Sequence, residues 1–294
     1  MDKRKHSPGQ GLVFLVLAAL LAPPALAQAT FDKVKTRSQL VVGYRDKAFP
    51  FSFTDGKAAA GYSIELCAPI VERIAQASGA KNLRVVYQAV EPERLVRQLQ
   101  SGAIDLMCAN TSDTEARRKL VAFSPPIFYA AVRVMVRSRD KPASLDQLAG
   151  KNLVVLGGTT ARTALNSYAA VKGLSWKVAN VLEHDAAMSQ LRLGQAAAYA
   201  RDDILLVDAM MNEKNPAEFA LLPERLSSEP IAIAYRQGDV ALQKLVDVSV
   251  VEAMRSGRFS QTYDKWFTRP VPPSGKNLQL PMSSELSALV AAAK

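Results

Sequence analysis

The chain has 294 residues, with 37 lysines and arginines against 27 aspartates and glutamates, two histidines and two cysteines. A formal charge of +10 can serve a nucleic-acid partner, but the basic residues are scattered and form no tract. A nucleic-acid-binding stripe is thereby excluded, and a mild attraction for anionic ligands remains. Beyond residue 6 the sole histidine is His184, and no Cys/His spacing suits zinc, so no metal and no other cofactor is expected.

Lys3, Arg4 and Lys5 precede an apolar run over 12–22, which ends in Pro23, Pro24 and the small-x-small triplet Ala25, Leu26, Ala27. That order predicts a secretory signal peptide over 1–27, cleaved before Gln28. A membrane anchor is the rival, but the run falls short of the roughly 20 apolar residues a span needs, and two prolines end it. No cysteine stands at the junction to carry a lipid. A soluble periplasmic protein is expected. Loss of Lys3, Arg4, Lys5 and Asp2 leaves 34 basic against 26 acidic residues, a formal +8. The 267 residues that remain make one large domain or two ordinary ones.

In chain order, 40–44 reads as a strand. Ile64, Cys67, Ala68, Val71, Ile74 and Ala75 recur at helical spacing until Ser78 and Gly79 stop them. Pro69 lies inside that pattern, which predicts a bend or a late start. A strand over 83–87, a short helix over 94–99 and a strand over 104–108 follow. The stretch 127–136 is rich in β-branched and aromatic residues, and a polar segment over 137–142 closes it. The rhythm then restarts: a strand over 153–156, a Gly157-Gly158-Thr159-Thr160 turn, and a helix over 161–171. A strand over 176–178, a helix over 186–193 and a strand over 196–199 complete the run. Asn215-Pro216 marks a turn, 219–222 and 231–235 read as strands, and a long helix over 240–256 ends at Gly257. Strands alternating with helices in two runs predict an α/β fold of two units, each with a largely parallel sheet. Cys67 and Cys108 sit in apolar contexts. A disulfide formed in an oxidising compartment and two buried thiols both fit.

Ligands of open α/β sheets bind beyond the carboxyl ends of strands. Polar residues stand there at Arg45, at 91–94 with Glu91 and Arg94, and at Asn110, Thr111 and Ser112, with Arg117 one turn further on. A guanidinium matches a carboxylate through its planar fork, so three arginines near converging strand ends describe an anion pocket. Thr160 either caps the helix it opens or donates to a carboxylate; the lysine of a phosphate loop is missing. His184 and Asp185 precede a helix, and Asp202 and Asp203 follow a strand. Asp203 suits the helix cap, which leaves Asp202 as the freer carboxylate for an ammonium group. The set complements a zwitterion that carries one further negative charge.

Several segments resemble the family 3 extracellular solute-binding proteins, the type II periplasmic binding proteins of polar amino acid ABC transporters. They include Val42-Gly43-Tyr44-Arg45 with Pro50-Phe51-Ser52-Phe53, then Gly61-Tyr62-Ser63-Ile64-Glu65-Leu66, and Leu99 through Leu106. Ala122-Phe123-Ser124, Gly158-Thr159-Thr160 and Gly257-Arg258-Phe259 continue the likeness. Cys108-Ala109-Asn110-Thr111, His184-Asp185, Asp202-Asp203 and Trp266-Phe267-Thr268-Arg269-Pro270 resemble the glutamate/aspartate-binding members most. The resemblance implies a two-lobed type II fold with a ligand cleft between the lobes. Lobe 1 is expected over 28–133 and 228–272, lobe 2 over 134–227, and a C-terminal extension over 273–294. Hinge strands are expected near 133–136 and 228–232. By the same analogy Arg117, assisted by Ser112 and Thr160, holds an α-carboxylate and Asp202 receives the α-ammonium. Arg45, Arg94 and His184 hold the distal carboxylate of glutamate or aspartate, with Asn110 in the same pocket.

Two positions depart from the pattern, Glu91 and Asn110, where the relatives carry serines. Asn110 keeps a hydrogen-bonding group, whereas Glu91 would either repel an acidic ligand or neutralise an arginine. The expected protein is a monomer that passes its ligand to an inner-membrane ABC permease. Cyclohexadienyl dehydratases share the fold and offer an enzyme reading, with Glu91 or His184 as general acid. Arg117 and Asp202, partners for both charged ends of an amino acid, favour the binder.

Overall fold

The computed structural model describes residues 29–80, 82–271 and 275–294, so the expected signal peptide lies outside the described residues. The apolar run of Gln39–Tyr44 is buried along its length, which places it inside a sheet. It pairs in parallel with Arg84–Ala89 on one side and Leu106–Met107 on the other. Ala234–Arg236 then joins antiparallel to Leu106–Met107, and Val121–Phe123 closes the edge. The chain thus returns to its first sheet after a long excursion, and both ends build that lobe.

The excursion is a second five-stranded sheet in the order Lys177–Val181, Asn152–Leu156, Ala198–Asp202, Val132–Arg137 and Phe219–Leu221. Its first three strands run parallel, and Val132–Arg137 lies antiparallel to both of its neighbours, Ala198–Asp202 and Phe219–Leu221. The β-rich stretch 127–136 divides between two sheets. Phe128–Ala130 pairs with Glu229–Ile231 in a separate antiparallel ribbon where the chain crosses between the lobes. Residues 133–136, read as a hinge, lie instead inside the second sheet. Val132, Val134, Met135 and Val136 are all buried, and that continuous apolar run hides where one strand ends and the next begins. The strand expected over 231–235 splits in the same way, into Glu229–Ile231 and Ala234–Arg236.

Helix Tyr62–Ser78 begins before Pro69 and runs through it. Tyr62, Leu66, Ile70 and Ile74 are buried on its inner stripe, and Cys67 is joined to Cys108 by a disulfide with Cα atoms 6.3 Å apart. Packing and the cross-link hold the helix despite the missing donor. Gly79 closes it in the left-handed region, with φ +65°. Tyr62, Phe128, Tyr263 and Phe267 form one aromatic cluster, with Phe267 centroids 4.5–5.0 Å from the other three. Tyr263, Trp266 and Phe267 are therefore core. Helix Ser284–Ala292 buries Leu286 and Val290 against the same core, so this part of the expected extension is packed structure.

Candidate functional site

The strand ends of the two sheets face each other across a cleft. From the first lobe come Arg45, Asn110, Thr111, Ser112 and Arg117, and from the second Thr159, Thr160, Arg201 and Asp202, with Pro92, Leu95, Met107 and Leu156 as apolar walls.

Arg45 follows strand Gln39–Tyr44 and is only 7% exposed. Its Nη2 lies 3.5 Å from Glu91 Oε2, while its Nη1 is buried without a hydrogen-bond partner among the described residues. Burial draws its pKa below the ordinary arginine range, opposed by Glu91. Glu91 therefore offsets Arg45, and its own side chain stays 41% exposed.

Arg117 sits in the short helix Glu115–Arg118, whose N-cap Thr114 accepts from the Arg117 backbone N–H. Its Nη1 donates to the Ser112 carbonyl at 2.9 Å, and its Nη2 reaches across the cleft to the Gly158 carbonyl at 3.0 Å. Both acceptors are neutral, so the guanidinium charge is available to an anion. Asp202 ends strand Ala198–Asp202 and accepts from Asn110 Nδ2 at 2.9 Å. Burial pushes its carboxyl up to about 6, opposed by the Asn110 bond and reinforced by Glu229. Thr160 stands at the N-cap of helix Ala161–Lys172, yet its hydroxyl donates to Glu229 Oε2 at 2.7 Å and caps nothing. Asp203 does not take the expected capping role: it is the first residue of helix Asp203–Met211, whose N-cap is Asp202 without a side-chain cap bond, and its Oδ1 accepts from the Ile204 N–H at 2.9 Å and the Ala131 N–H at 3.3 Å.

Residues 40–269 match the model of the bacterial extracellular solute-binding proteins, family 3. The chain belongs to this family. It is a periplasmic solute-binding protein of the two-lobed type II fold, and the enzyme reading gives way. The L-glutamate/L-aspartate-binding protein of Pseudomonas aeruginosa is 34% identical over 94% of this chain and 93% of its own length. The glutamate/aspartate import solute-binding protein of Escherichia coli is 29% identical over 98% and 97%. Among solved structures, a mutant arginine-binding protein from T. maritima aligns with a TM-score of 0.70 at 28% identity, covering 81% of this chain and 98% of that one. An ancestral arginine-binding protein bound to glutamine gives 0.68 at 29%, over 79% and 98%.

In this solute-binding protein Arg45, Asn110, Ser112, Arg117, Thr160 and Asp202 come together as the sequence suggested. Arg94 does not. It ends the one-turn helix Pro92–Arg94 and is exposed, while its neighbours Pro92 and Leu95 line the cleft. The helix expected from 94 begins at Leu95, and the tight turn before it leaves Arg94 at the surface.

His184 is also absent from the central cavity; it opens helix His184–Leu193 and lines a neighbouring cleft with Lys47 and Asp185. Its Nδ1 lies 2.9 Å from Arg201 Nη1 and 3.2 Å from the Tyr199 hydroxyl. Burial, helped by Arg201, holds its pKa down to about 3, so the ring is neutral and accepts at Nδ1. Arg201 went unread because its strand was expected to stop at 199. The strand continues to Asp202, and an arginine immediately before two aspartates, at the end of an apolar run, was the available signal.

Proposed function

We propose that this protein captures an acidic L-amino acid, glutamate or aspartate, in the interlobe cleft and delivers it to an inner-membrane ABC permease. The observation that carries the reading is the charge of the cleft: among the described residues Arg45, Arg117 and Arg201 line it with one carboxylate, Asp202, and with Glu91 offsetting Arg45 a surplus of one positive charge remains. A neutral zwitterion would leave a cationic surplus buried, whereas a ligand with one extra negative charge matches it. In this reading Arg117 takes the α-carboxylate with help from Ser112 and Thr160, and Asp202, oriented by Asn110, takes the α-ammonium. Arg45 faces the distal carboxylate. The names of the Pseudomonas and Escherichia relatives support the same ligand class.

A thermal-shift panel of the twenty amino acids on the mature protein tests the ligand. Glutamate and aspartate should raise the melting temperature most, by on the order of 10 °C at a thousandfold excess over Kd. A leading shift from arginine or another cation, with none from the two acids, rejects the proposal. Delivery is tested separately, by whether deleting the gene lowers uptake of labelled glutamate.

A further inference from the structure

We infer that Arg201, on the second lobe, is the specificity-determining residue that grips the distal carboxylate together with Arg45 on the first. The inference rests on the acidic-ligand reading and assigns to Arg201 the role that the sequence suggested for Arg94.

Four observations converge. Arg201 is 6% exposed and lines the cavity, whereas Arg94 is outside it. Second, the contacts of the Arg201 guanidinium are with neutral groups. Its Nη1 meets His184 Nδ1 at 2.9 Å, its Nη2 donates to the Lys47 carbonyl at 3.4 Å, and the Tyr199 hydroxyl stands beside it. Among the described residues no carboxylate forms an ion pair with it. A buried cation held only by neutral acceptors is costly unless an anion completes it.

Third, Arg45 is only partly satisfied: its Nη2 lies 3.5 Å from Glu91, while its Nη1 is buried with no hydrogen-bond partner among the described residues. The two guanidiniums are close enough for Arg201 to disfavour the charge on Arg45. Two like charges converging on one apolar-walled space describe a seat for a carboxylate. Fourth, the rest of the cavity has a different character. Arg117 interacts electrostatically with both Asp202 and Glu229, a mixed-sign end suited to the α-carboxylate and α-ammonium, and Arg201, which also favours the ionised Asp202, stands between that end and Arg45. Leu95 and Met107 contribute only apolar surface.

His184 is then a positioning residue, whose Nδ1 fixes the guanidinium plane of Arg201. Because Arg45 and Arg201 stand on opposite lobes, a distal carboxylate bridges the cleft. A distal amide cannot supply that charge.

Calorimetric titration with glutamate, aspartate and glutamine of the mature parent, Arg201→Met, Arg201→Lys and Arg94→Met tests this. The parent's preference for glutamate over glutamine tests the acidic reading by itself. Given that preference, Arg201→Met should lower glutamate and aspartate affinity about 100-fold or more and change glutamine less than about threefold, so the preference collapses. Arg201→Lys keeps charge without the planar fork, and should lose about tenfold for the two acids alone. Arg94→Met should change every ligand less than about threefold. The inference is overturned if both Arg201 variants, folded by circular dichroism, retain the parent's glutamate-to-glutamine ratio, or if Arg94→Met abolishes it. Should Arg201→Met not fold, the Arg201→Lys ratio decides alone.

Discussion

Asp202 is the residue at which the cleft becomes sensitive to pH. Its carboxyl is pushed up to about 6, chiefly by burial. Glu229 and Asp203 reinforce the shift, Asn110 and Arg201 oppose it, and Arg117 feels its charge. A carboxyl raised above its unfolded value binds protons more readily in the folded state. Its contribution to folding is therefore greatest in acid and declines as pH rises from about 4 through about 6. Ligand binding has the opposite sign, because an ammonium needs the ionised form. Glutamate affinity should fall as pH drops below about 6, by up to about tenfold per unit, and calorimetry between pH 7.5 and 5 reads it. Asp202→Asn should bind weakly throughout and lose that slope. An unchanged slope in the variant would remove Asp202 from the ammonium site.

Arg117 separates recognition of an amino acid from a general attraction for anions. Arg117→Lys keeps the charge and loses the fork, so glutamate, aspartate and glutamine should all weaken together, by roughly tenfold or about 1.4 kcal/mol. A loss confined to the acids would place Arg117 at the distal end instead. Among single residues the sequence showed the first-lobe set well, because Arg45, Asn110, Ser112 and Arg117 each follow a strand or open a turn. It misplaced Arg94 because one tight turn decides whether a side chain faces the cleft or water. It missed Arg201 because a strand was ended three residues early.

At the scale of elements, the turn 157–160 and the turn at Pro92–Arg94 meet across the cleft. Gly158 has φ +69°, and a Cβ built on it would lie 2.5 Å from the Glu93 backbone nitrogen and 2.7 Å from the Pro92 carbonyl carbon. Backbone cannot swing aside as a side chain can, so Gly158→Ala should hold the two turns apart. Left-handed strain adds its own smaller cost. Affinity for every ligand should drop about tenfold or more, and small-angle scattering with saturating glutamate should show a larger radius of gyration than the parent. Parental affinity and size would show that the turns do not need to meet. The disulfide makes a different prediction. Cys67 and Cys108 are 41 residues apart, and cross-linking such a loop stabilises by about 2–4 kcal/mol. A Cys67→Ser, Cys108→Ser double variant should lose that amount in urea unfolding. A loss near zero would contradict it. Neither the bond nor the division of 127–136 was legible, because both depend on which distant strands become neighbours.

For the whole molecule, closure is built from small contacts between lobes. Lys47 Nζ reaches Asp185 Oδ2 at 2.7 Å, Asn110 meets Asp202, and Arg117 donates to Gly158. The C-terminal segment adds Lys276 to Asp208 at 2.8 Å. The exposed pair of Lys47 and Asp185 is worth little, so the half-buried contacts of Asn110, Arg117 and Lys276 contribute more to holding the lobes together. The alternation of strands and helices and the family motifs made the α/β plan legible, since they report local periodicity and core packing. The crossing ribbon Phe128–Ala130 with Glu229–Ile231 was displaced in that reading, because strand partners are not written in a strand's own pattern.

The central claim is that an acidic side chain completes the cationic cleft, and calorimetric comparison of glutamate with glutamine on the mature protein at pH 7.5 tests it most directly. The two ligands differ by one charge at nearly constant shape. Removing the carboxylate leaves buried guanidinium charge unmatched, a loss of roughly 2–5 kcal/mol, so glutamate should bind roughly 30-fold to several-thousand-fold more tightly. Equal affinity for the two would contradict the account.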